Sequence, residues 1–182
     1  PGARILAGGT AFSIFAEEIM KRVPEIDFGI YLEGEESTPE LLDNFENPEK
    51  VKGIFYRKAG DVRFTGVRAP PDFTNFPVPK RDKGLIDISN YIGPLHNVIG
   101  VQSKRGCILS CTYCSYLFLN GKNMRLRDPA NVVDEIEYLI GLGVKKFTFV
   151  DSIFNVPEKH AIGICREMIK RKIDVEWGAW CS

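Results

Sequence analysis

Short apolar runs alternate with helix-period segments in two stretches of this chain, and that alternation leaves few folds open. A strand, a helix and a further strand in succession imply an α/β layer built on a parallel sheet. In the first stretch Ile5-Leu6-Ala7 reads as a strand closed by Gly8-Gly9, a pair that permits both a turn and the close approach of a ligand. The spacing of Ile14, Phe15, Ile19 and Val23 predicts a helix that Pro24 stops. Phe28 to Leu32 reads as a second strand running into Glu33-Gly34-Glu35-Glu36. Thr38-Pro39 has the form of an N-cap followed by proline at the first helical position, with Leu41, Leu42 and Phe45 as the apolar face.

The middle of the chain differs. Gly53 to Arg57, the turn Ala59-Gly60-Asp61, and Val62 to Thr65 predict a β-hairpin. Pro70, Pro71, Pro77 and Pro79 make residues 69–81 an extended linker. From about residue 96 the alternation resumes. Val98 to Val101 is a strand, and Asp128-Pro129 opens a helix whose Val132, Val133, Ile136, Leu139 and Ile140 share one face before Gly141 and Gly143. Lys146 to Val150 is strand-like with Asp151 at its C-terminal end, a helix runs from about Pro157 to Arg171, and Asp174 to Trp180 is a last strand. This βαβαβ order fits the opening half of a barrel, whose active site lies at the C-terminal ends of its strands.

Between the first strand and first helix of that second stretch stand Cys107, Cys111 and Cys114, spaced by three and two residues. Three close thiolates without an evident fourth ligand suit an iron–sulfur cluster that keeps one iron open for chemistry. A structural zinc site would draw its fourth ligand from Cys165, Cys181, His96 or His160, none of which forms a second ligand pair. Five cysteines is an odd count, which fits a disulfide framework poorly. A cluster module serving only structure or electron transfer would fill all four iron sites and show a second group of ligand cysteines, and the sequence has none.

Lysine plus arginine equals aspartate plus glutamate at 24 each, so no basic footprint for nucleic acid is present. No apolar run approaches the roughly 20 residues of a membrane span, and no signal peptide is visible. Thiols in this pattern place the chain in a reducing cytoplasm. It opens in mid-pattern at Arg4-Ile5 and closes just after a strand, so we expect an internal segment of a longer protein.

The cysteine spacing, with the aromatic Tyr113 before the last Cys, resembles the signature of radical S-adenosylmethionine (radical SAM) enzymes. The resemblance covers roughly the last 85 residues, judged on motif and context. It implies that Cys107, Cys111 and Cys114 ligate a [4Fe–4S] cluster and that the fourth iron binds the amino and carboxylate groups of S-adenosylmethionine. Tyr113 would lie beside the adenosine. Asp151 and Asn155 resemble the polar loop after the second barrel strand that positions the amino acid end of that cofactor, although the Gly-Gly-Glu of many members is absent.

The first 45 residues are similar to the closing half of a flavodoxin-like, Rossmann-like cobalamin-binding domain. Gly8, Gly9, Glu33, Gly34 and Glu35 would face the nucleotide tail of the cobalamin. No G-x-G-x-x-G opens the helix, so a dinucleotide fingerprint is not present. Half-domain (1–50), hairpin and Pro-rich linker (51–95) and barrel half (96–182) make the layout of the cobalamin-dependent radical SAM family. That resemblance implies methyl transfer to an unactivated carbon through a 5′-deoxyadenosyl radical. Radical cyclisation or rearrangement with cobalamin, and radical SAM chemistry without it, stand as alternatives. A small-molecule or peptide substrate and a one-electron reductant such as flavodoxin or ferredoxin would be the partners.

Other residues carry weaker signals. Arg105 either stabilises a reduced cluster by its charge or is solvated. Arg125 and Arg127 are expected in surface ion pairs rather than on a carboxylate ligand. His160 is expected to pack or to lie on its helix surface, Cys165 to be a small buried hydrophobe, and Cys181 either to point into the barrel or not.

Overall fold

In a computed structural model, residues 2–81, 88 and 99–182 are described. The chain divides into two units, Pro1–Pro71 and Asp72–Ser182. His96 and Val98 lie outside the described residues, and the strand that follows them begins at Ile99.

The first unit is built on one mixed sheet. β1 (Leu6–Ala7) runs parallel to β2 (Phe28–Ile30), with α1 (Thr10–Arg22) as the crossover. β2 pairs antiparallel with β3 (Ile54–Lys58), which turns at Ala59-Gly60 into β4 (Asp61–Phe64). The expected hairpin therefore forms and extends the sheet in the order β1-β2-β3-β4.

The buried face of α1 is not the one its apolar spacing marks. Phe12, Ala16 and Met20 are buried, whereas Ile14, Phe15 and Val23 are exposed. Two features explain it: helical dihedrals break at Phe15 (φ −120°, ψ 25°), and the Phe12 ring lies where a Cβ on Gly29 would stand. That glycine lets the ring press onto the β2 backbone, which fixes the rotation of the helix.

α2 (Ser37–Asp43) starts two residues earlier than expected. No side-chain cap closes it, and the Ser37 hydroxyl donates instead to the Lys52 carbonyl at 2.9 Å. Leu41 alone of its apolar trio is fully buried, while Leu42 and Phe45 stay exposed at the surface. A helix this short presents one buried position per turn. Arg57 then caps the end of α1, donating to the carbonyls of Met20, Val23 and Ile26.

The second unit holds a three-stranded parallel sheet in sequential order, β5 (Ile99–Val101), β8 (Lys146–Phe149) and β9 (Glu176–Ala179). Between β5 and β8 the chain makes β6 (Lys104–Arg105), α3 (Tyr116–Asn120), β7 (Arg125–Leu126) and α4 (Pro129–Gly141). α5 (Glu158–Lys170) joins β8 to β9. The Asp128 carboxylate caps α4 by accepting from the Ala130 amide at 2.8 Å, with Pro129 in the first turn.

Val132, Val133, Ile136 and Leu139 pack with Ala161, Ile164 and Met168 of α5 against Ile99, Val101, Phe147 and Phe149. Phe149, Phe154 and Trp177 form an aromatic cluster at the sheet, with ring centroids 4.4 to 5.5 Å apart. Cys165 packs against this core as expected, but half-buried rather than buried. No helix among the described residues is long and apolar enough to cross a membrane.

Candidate functional site

The three parallel strands of the second unit end at Val101, Phe149 and Ala179, and the segments leaving those ends carry the chemistry-bearing residues. Sequence position alone does not reveal the neck of the cysteine loop. β6 pairs antiparallel with β7, Lys104 opposite Leu126 and Arg105 opposite Arg125, so residues 106–124 leave and return through one two-stranded gate. Gly106 stands at that gate with φ 91°, and a Cβ there would strike the Asn123 carbonyl. Only glycine meets both demands.

Within the loop the Cys107 amide donates to the Gly121 carbonyl at 3.2 Å, and the Gly121 amide closes α3 on the Leu117 carbonyl at 2.9 Å. The Cys114 amide donates to the Cys111 carbonyl at 3.2 Å, which makes the second spacing a turn. Cys107 is buried, Cys111 half-buried and Cys114 exposed, and all five cysteines are free thiols. Tyr113 is 89% exposed.

Among the described residues no three His, Cys, Asp or Glu side chains converge as on a single metal ion. A [4Fe–4S] cluster makes a different demand, because each thiolate binds its own iron and the ligands spread around a larger object. Three free thiols on one gated loop, graded from buried to exposed, fit that demand.

Behind the loop lies a buried polar cluster. The Asp151 carboxylate accepts from the Ser103 amide (2.8 Å), the Ser103 hydroxyl (2.5 Å) and the Lys104 amide (3.2 Å). Its side chain has no exposed surface, and that of Lys104 is 1% exposed. The Lys104 ammonium stands 3.6 Å from Asp151, donates to the Phe154 carbonyl at 2.8 Å and lies over the Phe154 ring.

Burial pushes the Lys104 pKa down, and the Asp151 charge acts in the opposite direction. His160 is buried, its Nε2 3.3 Å from the Ser103 hydroxyl. Its pKa is lowered, first by burial and then by the Lys104 charge. His160 thus packs inside rather than on the helix surface. Asp151 ties the segment leading to the cysteines to the end of β8, with both carboxylate oxygens engaged. Asn155 pins the segment after β9, exchanging side-chain hydrogen bonds with the Ser182 backbone at 2.9 and 3.2 Å.

A second buried network corrects the expectation for Arg127. Its guanidinium is 3% exposed and pairs with Glu135 at 2.6 Å, while donating to the Gln102 carbonyl at 2.7 Å. Arg81 reaches the other oxygen of Glu135 at 2.9 Å. The interaction is internal because Arg127 follows β7 directly and must turn inward where α4 begins. Arg125 is half-buried in β7. Arg105 places its guanidinium 4.7 Å from the Phe73 ring and 5.4 Å from Phe76, and donates to the Gln102 side chain at 3.0 Å. It is therefore not simply solvated.

Sequence reasoning missed Ser103, Lys104 and Glu135. Lysine directly before the loop and glutamate inside an apolar helix face were the available signals.

In the first unit Gly8 and Gly9 are exposed at the end of β1, Gly9 with φ 88° just before α1. Glu33 and Gly34 are half-buried and Glu35 exposed. Cβ atoms built on Gly8 and Gly34 would both meet Ile30, so the two glycine segments flank the end of β2. Leu32, between them, adopts φ 64° and donates its amide to the Ser13 hydroxyl at 2.9 Å. A left-handed conformation is uncommon for a bulky residue.

No protein-family model matches the chain. Among curated proteins it is 32% identical to the anaerobic magnesium-protoporphyrin IX monomethyl ester cyclase of Cereibacter sphaeroides, over 98% of this chain and 30% of that enzyme. Among solved structures it matches the radical S-adenosylmethionine methyltransferase TsrM of Kitasatospora setae, solved with cobalamin and a [4Fe–4S] cluster. The TM-score is 0.80 at 23% identity, over 93% of this chain and 34% of TsrM. OxsB, a cobalamin-dependent S-adenosylmethionine radical enzyme, matches with TM-score 0.75 at 21% identity, over 95% of this chain and 25% of OxsB.

The chain is thus a relative of that cyclase in sequence and shares the fold of the two solved radical SAM enzymes. It spans about a third of the length of the relatives it matches, 30% of the cyclase and 34% of TsrM. The mixed α/β fold with parallel strands is the fold it shares with those two radical SAM structures.

Proposed function

We propose that this chain is the part of a cobalamin-dependent radical SAM methyltransferase that carries the cluster loop and the nucleotide side of the cobalamin site. One observation carries the proposal. Cys107, Cys111 and Cys114 occupy a single loop gated by β6 and β7, on a segment leaving the C-terminal end of a parallel strand. Residues 1–50 would belong to a cobalamin-binding domain, 51–95 to the hairpin and linker, and 96–182 to the first half of a radical SAM barrel.

In this reading Cys107, Cys111 and Cys114 hold the [4Fe–4S] cluster, and Tyr113 offers an exposed ring for the adenosine. Asn155 holds the loop after β8 against the segment after β9. Asp151 serves the amino acid end of S-adenosylmethionine by shaping the Ser103–Lys104 backbone, since its own oxygens are engaged. Gly8, Gly9, Glu33, Gly34 and Glu35 form the rim that meets the cobalamin tail. When bound, these groups supply reductive cleavage of S-adenosylmethionine to a carbon radical and a transferable methyl; the protein supplies orientation, electrostatics and exclusion of water.

Radical cyclisation is the second reading, favoured by the 32% identity to a cyclase. Methyl transfer draws support from the fold match to TsrM.

The test is electron paramagnetic resonance of the anaerobically reconstituted, reduced full-length protein with and without S-adenosylmethionine. A [4Fe–4S] signal that shifts with the cofactor is expected, and Cys111→Ala is expected to lose it. An unchanged signal, or full iron content and cofactor cleavage in Cys111→Ala, would overturn the assignment. Transfer of labelled methyl to product separates the methyltransferase from the cyclase.

A further inference from the structure

In the first unit one side chain is bonded to both of the glycine segments that flank the end of β2. The Ser13 amide donates to the Gly9 carbonyl at 2.9 Å where α1 opens. Its hydroxyl accepts from the Leu32 amide, also at 2.9 Å, across 19 residues of sequence. Ser13 is 2% exposed, so water does not compete for that bond.

What the hydroxyl holds is a conformation that Leu32 disfavours. At φ 64° the leucine lies in the left-handed region, where its Cβ crowds the backbone. The Tyr31 amide still donates to the Gly53 carbonyl at 2.9 Å, so the chain leaves the sheet at Leu32, whose amide turns to α1 instead. That turn keeps the next residues at the end of β2: a Cβ on Gly34 would stand 3.0 Å from the Ile30 Cγ2, and one on Gly8 3.4 Å from the Ile30 Cβ. Gly9, at φ 88°, faces open space, since a Cβ there would meet none of the described residues. A backbone that favours glycine, with room in front of it, suits the close approach of a ligand. A sparsely populated conformation held by its surroundings is a recurrent mark of ligand clamps.

We propose that Ser13 is a positioning residue of the cobalamin rim: by holding Leu32 left-handed, it fixes Glu33, Gly34 and Glu35 beside Gly8 and Gly9 to receive the nucleotide tail. The inference rests on the rim assignment above. Without the hydroxyl, Leu32 relaxes toward negative φ and the competent rim becomes a minor conformer, which lowers the apparent affinity by its population. The loss is confined to the part of the ligand that the rim meets. Cobinamide, a corrinoid without the nucleotide, is therefore indifferent to Ser13.

The experiment titrates the full-length protein, freed of corrinoid, with hydroxocobalamin and with cobinamide by calorimetry. Wild type, Ser13→Ala, Leu32→Gly and the double variant are compared, with amide exchange at Leu32 followed before any corrinoid is added. Ser13→Ala is expected to bind hydroxocobalamin roughly tenfold more weakly, the scale of one hydrogen bond, and cobinamide as before. The Leu32 amide is expected to exchange faster in the unliganded variant. Glycine takes the left-handed conformation without steric cost, so in the Leu32→Gly background Ser13→Ala is expected to cost less than about threefold.

An unchanged hydroxocobalamin affinity in Ser13→Ala overturns the inference. So does an equal loss for both corrinoids, which would assign Ser13 to the stability of the whole unit, and so does a loss undiminished by Leu32→Gly. Should Ser13→Ala not fold, Leu32→Val and Leu32→Gly carry the test with Ser13 intact. The β-branched valine resists the left-handed region, so it is expected to bind hydroxocobalamin more weakly than the glycine variant and cobinamide equally; equal hydroxocobalamin affinities overturn the inference. A wild type that binds hydroxocobalamin no better than cobinamide defeats the parent reading of the rim instead, so the two failures are distinct.

Discussion

Removing the Asp151 carboxylate tests whether this residue acts as an internal clamp or as a ligand for the cofactor. In Asp151→Ala the Lys104 ammonium, 1% exposed, keeps one acceptor, the Phe154 carbonyl at 2.8 Å, and the face of the Phe154 ring. Three donors lose their partner at once: the Ser103 amide, the Ser103 hydroxyl and the Lys104 amide. Breaking a buried pair from one side costs about 3–5 kcal/mol.

Lys104→Met leaves the carboxylate with its three donors, and about 1.5–3 kcal/mol is the expected cost, near that of one hydrogen bond to a charged group. The double variant should then be less destabilised than the sum of the two, by at least about 1 kcal/mol, because the orphaned charge is gone.

Urea unfolding followed by tryptophan fluorescence reads this unit selectively. The chain has two tryptophans, Trp177 and Trp180, and Trp177 packs on Phe149 and Phe154 of the same core. The deficit of Asp151→Ala should shrink as pH rises. Burial already lowers the Lys104 pKa and Asp151 opposes that shift, so without the carboxylate the ammonium gives up its proton more readily. Because that folded pKa is depressed, stability is lost as pH falls. Stability within about 0.5 kcal/mol of wild type, the ordinary range of a surface change, combined with lost S-adenosylmethionine affinity, would refute the clamp.

Gly106→Ala should open the gate of the cysteine loop, since φ 91° and the Asn123 carbonyl both oppose a side chain; we expect a loss of about 2–4 kcal/mol and of most bound iron, read by unfolding and iron analysis. Glu135→Gln removes the charge that Arg127 and Arg81 share and should cost about 3 kcal/mol with little dependence on salt, checked by urea melts at low and high ionic strength. His160 gives a pH signature: burial depresses its folded pKa, so its contribution is full above the ordinary value of about 6.5 and is lost as pH falls below that toward the depressed folded value. His160→Gln should flatten that acid limb of the stability curve, and an unchanged limb would place the titrating group elsewhere.

Much of the architecture was legible one residue at a time. The run Val132, Val133, Ile136, Leu139 carries the helical period and is buried as read, and Asp128-Pro129 caps that helix by a mechanism local to three residues. β3 and β4 announce themselves by alternation around Ala59-Gly60. The cysteine trio is a statement of spacing, and spacing belongs to the sequence.

Less legible were features set by what packs from elsewhere. The buried face of α1 could not be read from spacing, because a period of 3.6 predicts which residues align, whereas the seat of Phe12 over Gly29, seventeen residues away, selects which alignment is buried. Arg127 was expected at the surface because an arginine beside a helix start usually is; only the return of β7 to β6 carries it to Glu135.

The sequence by itself determined the strand and helix alternation, the position of the cysteine loop and its three thiols, because these depend on local periodicity and residue chemistry. Tertiary structure decided that the loop is gated by a two-stranded neck and that the Asp151 oxygens face Ser103 and Lys104, 47 to 48 residues back along the chain. Those are long-range pairings of polar groups, and the cost of burying them fixes their partners only once the parallel strands have brought their ends together.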